Sequence, residues 1–127
     1  MSAHDHGVSL AMLYQARQRL LSQVPRTPLI GSAALGARFD AGILLKLEAL
    51  QSTGAFKLRG VTNMIAALIE CHGRDALKAG VTTASTGNHG RAVAHAPARL
   101  GVPAVICFPL CLPSCPVAGC EESRQSP

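Results

Sequence analysis

The chain has 127 residues, enough for one modest domain. Hydrophobic residues make up 48% and charged residues 15%, which excludes a disordered chain and predicts a globular one. The net charge of +5 comes from twelve Lys and Arg spread along the chain, and with so few aromatics this excludes a nucleic-acid-binding face.

Residues 1–8 are polar and read as a loose tail without the apolar core of a secretory signal. From Ser9 to Val24, Leu10, Leu13, Leu20, Leu21 and Val24 recur at helical spacing, and Ser9 is placed to cap the helix. Pro25 and Pro28 end it and force an extended passage through Arg26-Thr27-Pro28-Leu29. Residues 31–40 read as a loop, and Ile43 to Leu47 as a strand.

A polar, Gly-containing stretch from Gln51 to Phe56 leads into Lys57 and a second helix, whose apolar stripe is Val61, Met64, Ile65, Leu68 and Ile69 and whose stop is Gly73. A short helix is expected around Asp75–Lys78, closed by Gly80. Val81 to Ala84 is β-prone, residues 85–90 form a turn, Arg91 to Arg99 reads as a helix, and Ala104 to Phe108 as the returning strand. A strand–helix–strand unit of this length implies a parallel pair with a right-handed crossover. Pro97 should kink that helix or cost it about 3 kcal/mol.

Leu100 to Cys120 carries no charge, yet its four prolines exclude a membrane-spanning helix. From residue 109 the periodicity is lost, so the domain reads as 9–108 and residues 109–127 as an irregular tail. Five cysteines without a secretory signal point to a reducing cytoplasm. Cys107, Cys111, Cys115 and Cys120 lack a CxxC pair, and His4 and His6 sit in the tail, so no metal site is expected.

Two loops carry the chemistry. Lys57 stands where a helix begins, and the positive end of the macrodipole disfavours an ammonium there and favours the neutral, nucleophilic amine. On position alone, a surface lysine with its head in water is the plainer reading. In Ser85-Thr86-Gly87-Asn88-His89-Gly90, hydroxyls, glycines and free helix N–H groups converge, as at an anion site for a carboxylate or phosphate; an ordinary helix cap is the alternative.

Taken together, Lys46-Leu47-Glu48-Ala49-Leu50-Gln51-Ser52-Thr53-Gly54-Ala55-Phe56-Lys57-Leu58-Arg59-Gly60 resembles the Schiff-base segment of fold-type-II enzymes that use pyridoxal 5′-phosphate (PLP). Ser85 to His89 resembles their substrate-carboxylate loop, and Arg26-Thr27-Pro28-Leu29 the stretch that precedes both. The text from Leu13 to Phe108 is most similar to threonine/serine dehydratases, especially the dehydratase-like proteins of ectoine and hydroxyectoine breakdown.

The resemblance implies a parallel-sheet, three-layer α/β fold of the tryptophan-synthase-β type, incomplete in this chain. It implies PLP held by Lys57, with Phe56 packed beside the ring and Asn88 bonded to its 3′-hydroxyl. Ser85, Thr86, Gly87 and His89 would line the pocket for the carboxylate of a small amino-acid substrate, and Lys57 would also remove the α-proton. The reaction implied is dehydration and deamination of a hydroxy-amino acid, and a homo-oligomer fits the family. Serine racemase, a β-replacing synthase and a non-catalytic fragment remain as alternatives. The family's glycine-rich phosphate cradle lies further downstream and is missing here, so a truncated form of weak or no activity is expected.

Overall fold

A computed structural model describes residues 7–108. Ser9 caps α1 (Leu10–Leu20), its hydroxyl accepting the Met12 N–H at 3.2 Å. The helix ends earlier than its apolar spacing predicts, with a last turn in which the Val24 N–H reaches the Leu20 carbonyl at 3.0 Å. Val24 is buried and Leu20 packs on the core, whereas Leu10, Leu13 and Leu21 stay exposed because no described element covers that face.

The region read as a loop contains a helix, α2 (Ala33–Phe39), between β1 (Leu29–Gly31) and β2 (Leu44–Lys46). Its alanines favour helix, Ser32 caps its start through the Leu35 N–H, and Asp40 turns left-handed (φ 47°) to end it. The two strands form an antiparallel ribbon, pairing Leu29 with Lys46 and Gly31 with Leu44.

A 3-10 turn, Glu48–Leu50, leads to α3 (Lys57–His72), which Gly73 closes at φ 77°. Leu58, Val61, Thr62 and Ile65 of α3 are buried; Met64, placed in the apolar stripe by spacing, is half exposed. A second 3-10 turn, Arg74–Leu77, delivers the chain through Gly80 (φ 85°) to β3 (Val81–Ala84). A Cβ at Gly80 would lie 2.7 Å from the Pro103 carbonyl oxygen, so glycine is required by space as well as by conformation.

Helix α4 (Asn88–Arg99) starts three residues earlier than predicted, and β4 (Ala104–Cys107) returns parallel to β3, pairing Val81 with Ala104 and Ala84 with Cys107. Pro97 does not break α4. It lies in the last turn with its ring fully buried, and its carbonyl accepts the N–H groups of Leu100 and Val102, both at 2.9 Å. A proline so near the end forfeits one helical bond and finishes the helix.

The core is Val24, Leu58, Val61, Ile65, Ala92, Val93, Ala96 and Val102. Small Ala92 and Ala96 let α4 lie close against α3. The two helices run in the same direction. At one end, a Cβ built on Gly54 would sit 3.9 Å from Arg91 Nη1. At the other, the Arg74 guanidinium donates to the Leu100 carbonyl, just past the end of α4. Their N-termini therefore share one end of the molecule.

Candidate active site at the paired helix starts

Lys57 is the first residue of α3 and Asn88 the first of α4, so the parallel packing brings both loops named by sequence to one end. Neither Phe56 nor Gly87, the residues just before the two helices, makes a side-chain cap bond, while the Gly90 N–H of α4 is taken by the Ser85 hydroxyl. Two sets of unsatisfied N–H groups, each with a partial positive charge of roughly half a unit, lie side by side there. That is an anion-attracting edge.

Lys57 is exposed, and among the described residues no carboxylate lies within 4 Å of its Nζ. Its one ring contact is Phe56, whose centroid is 5.2 Å from Nζ. Among the described residues, the missing carboxylate leaves Lys57 unpaired and open to an incoming carbonyl, while the Phe56 ring makes a cation–π contact with its ammonium form.

In the second loop, the Ser85 hydroxyl accepts the N–H groups of Gly90 at 3.0 Å and Gly87 at 3.3 Å. A hydroxyl has two lone pairs and one proton. Both lone pairs are used here, which leaves the proton to be donated to an incoming acceptor such as a carboxylate. Gly90 makes this turn possible, because a Cβ there would lie 2.6 Å from the Ser85 carbonyl oxygen. Ser85 is half-buried, while Thr86, Gly87, Asn88 and His89 are exposed.

Other residues that brace the site were present in the resembling text but had no role assigned. Glu48 accepts Arg59 Nε at 2.9 Å and Nη2 at 2.8 Å, and the Thr27 hydroxyl at 2.5 Å. The hydrogen bonds from Arg59, then Thr27 and the charges of Arg59 and Lys46, outweigh burial and pull the Glu48 carboxyl from 4.5 down to about 2. Lys46 donates to the Thr27 carbonyl, and Gln51 donates to the Pro25 carbonyl at 2.7 Å. The segment before Lys57 is thus tied on both sides to the extended Pro25–Leu29 passage. Thr27 and Glu48 each lie in a segment that resembles the family, but nothing in the sequence indicates that they meet.

The metal alternatives are only partly in view, since His4, His6, Cys111, Cys115 and Cys120 fall outside the described residues. Within them, no group of three His, Cys, Asp or Glu is placed to hold a metal ion. No helix among the described residues is long and apolar enough to cross a membrane.

The chain belongs to the pyridoxal-phosphate dependent enzyme family, whose model matches residues 20–119 and so extends beyond Phe108, the end of the resembling segment, into the residues expected to be an irregular tail. It is similar to the serine racemase of Oryza sativa subsp. indica, 36% identical over 115 residues, which cover 91% of this chain and 33% of that protein. It is 41% identical over 98 residues to the L-threonine ammonia-lyase of Geobacter sulfurreducens, covering 77% of this chain and 23% of that one. Among solved structures, maize serine racemase superposes with a TM-score of 0.70 at 36% identity, covering 82% of this chain and 31% of the other. The processed form of threonine deaminase isoform 2 from Solanum lycopersicum gives 0.64 at 33% identity, with 84% and 30% covered. The chain spans between about a quarter and a third of these relatives. Their fold is the α/β type that the sequence implied.

PLP is the family's cofactor, and the reactive end of the site fits it. The Lys57 amine has no carboxylate partner, an aromatic ring stands beside it, and Asn88 opens the neighbouring helix at the same end.

Proposed function

We propose that the paired helix starts form the amine and carboxylate halves of a PLP-dependent ammonia-lyase site for a small hydroxy-amino acid. The observation that carries this reading is the parallel packing of α3 on α4, which puts Lys57 and the Ser85–Gly90 loop at one end.

When bound, the cofactor supplies an electron sink for the bond that breaks at the substrate Cα. Lys57 Nζ holds it and is the base that takes the Cα proton. Asn88 offers an amide to the cofactor's 3′-hydroxyl, and Phe56 flanks the ring. The Ser85 O–H and the first-turn N–H groups of α4 receive the substrate carboxylate, with Thr86, Gly87 and His89 around it. That grip orients the Cα–H bond toward Lys57, and orientation is worth several powers of ten in rate. Loss of the Cα proton and the β-hydroxyl releases water and leaves an enamine; a proton moves from its nitrogen to Cβ to give the imine, whose hydrolysis consumes one water and yields a 2-oxo acid and ammonia.

The names of the lyase relatives and the resemblance of residues 13–108 support threonine or serine as substrate. The finer assignment, to ectoine or hydroxyectoine breakdown in the cytoplasm, is supported by that resemblance and by the cysteine usage. A racemase reading is favoured by the serine racemase relatives and shares the same first proton transfer. The two readings part at the product. The full chain supplied with PLP should form at most a slow yield of 2-oxo acid and ammonia from L-threonine or L-serine, and Lys57→Ala should form none. D-serine without 2-oxo acid would favour the racemase; turnover that survives Lys57→Ala would refute both.

A further inference from the structure

A second candidate site lies along α1 and reaches the first turn of α3 at Arg59. A cavity of about 730 Å³ runs between α1, the Pro25–Arg26 passage, β2 and the α3–α4 pair. Neither Lys57 nor any residue of the Ser85–Gly90 loop lines it.

Five cations line this cavity, Arg17, Arg26, Lys46, Arg59 and Arg99, and no acidic residue does. Glu48 serves two of them, bonding Arg59 and standing 3.9 Å from Lys46. Arg17, Arg26 and Arg99 have no acidic partner among the described residues. Placement at a helix C-terminus gives Arg17 and Arg99 a local reason to be basic. It does not explain why three arginines from separate elements all line one cavity that no acidic side chain lines, an excess of positive charge that an anion would offset. The rest of the wall includes Leu13, Leu21 and Val24, so the ligand needs an aliphatic portion as well as a charge.

We infer that this cavity binds a small organic anion with an aliphatic body, its charge held by Arg17, Arg26 and Arg99. Octanoate is a suitable probe, with acetate as the same head group without the body. Calorimetric titration of the full chain at low salt should show saturable binding of octanoate and at least about tenfold weaker binding of acetate, a gap that corresponds to about 1.4 kcal/mol. The Arg17→Gln/Arg99→Gln variant should lose at least about tenfold in octanoate affinity. These side chains are exposed, so helix content by circular dichroism should be unchanged; Arg26→Gln gives a second variant should the first misfold. No saturable octanoate binding, equal binding of acetate, or undiminished affinity in a folded variant would each overturn the inference.

Discussion

At the scale of single residues, Ser85 and Glu48 make claims that can be measured. The Ser85 hydroxyl satisfies two backbone N–H groups of its own turn, one of them part-buried. Ser85→Ala should therefore destabilise the chain by about 1–2 kcal/mol in denaturant melts, before any effect on ligand. No change would mean that water replaces the hydroxyl freely. Glu48 is depressed to about 2 when folded, against 4.5 for the free side chain. A depressed carboxyl stabilises the fold above its unfolded pKa and loses that contribution as pH falls through the folded one. Glu48→Gln should cost about 1–3 kcal/mol at neutral pH, and the gap to the parent should close between pH 4.5 and 2. A gap that persists at pH 2 would place the stabilisation elsewhere. Lys57 and Ser85 stood out because a lysine is out of place at a helix start and a hydroxyl is at home beside one. Glu48 was not, since a carboxylate three residues before a polar stretch says nothing of an arginine that returns to it from the next helix.

At the scale of elements, the strand–turn–helix–strand unit was legible to within three residues, because Gly80, the turn residues and Gly101 bound it with conformational signals. The passage between the two ribbon strands was misread. It forms a helix because six helix-tolerant residues and the Ser32 cap outweigh the one glycine, Gly36, worth about 1 kcal/mol. The antiparallel pairing of β1 with β2 was also missed, since three-residue strands leave no alternation to read. These differences have a dynamic consequence. Every residue of β1 and β2 is exposed, whereas Val61 and Ile65 of α3 are buried. A two-stranded ribbon open on both faces should exchange its amide hydrogens far faster than the middle of α3. Exchange rates followed residue by residue will check this, and equal protection of the two regions would contradict it.

At the scale of the whole molecule, the chain is a small core between two parallel helices, with large apolar side chains left in water on α1, on the ribbon and on β4. Periodicity could name the apolar positions but not which of them find a partner, because burial depends on elements far away in sequence. The same limit applied to the site: both loops were legible, and their meeting was implied only by resemblance until the direction of α3 and α4 was seen. The central claim is that this shared end presents Lys57 to PLP, and it does not depend on turnover. PLP should be titrated into the full chain, reduced with borohydride, and the modified peptide mapped. A visible absorption band should grow, and the label should lie on Lys57 and vanish in Lys57→Ala. Label spread over other lysines, or a band unchanged by Lys57→Ala, would contradict the account.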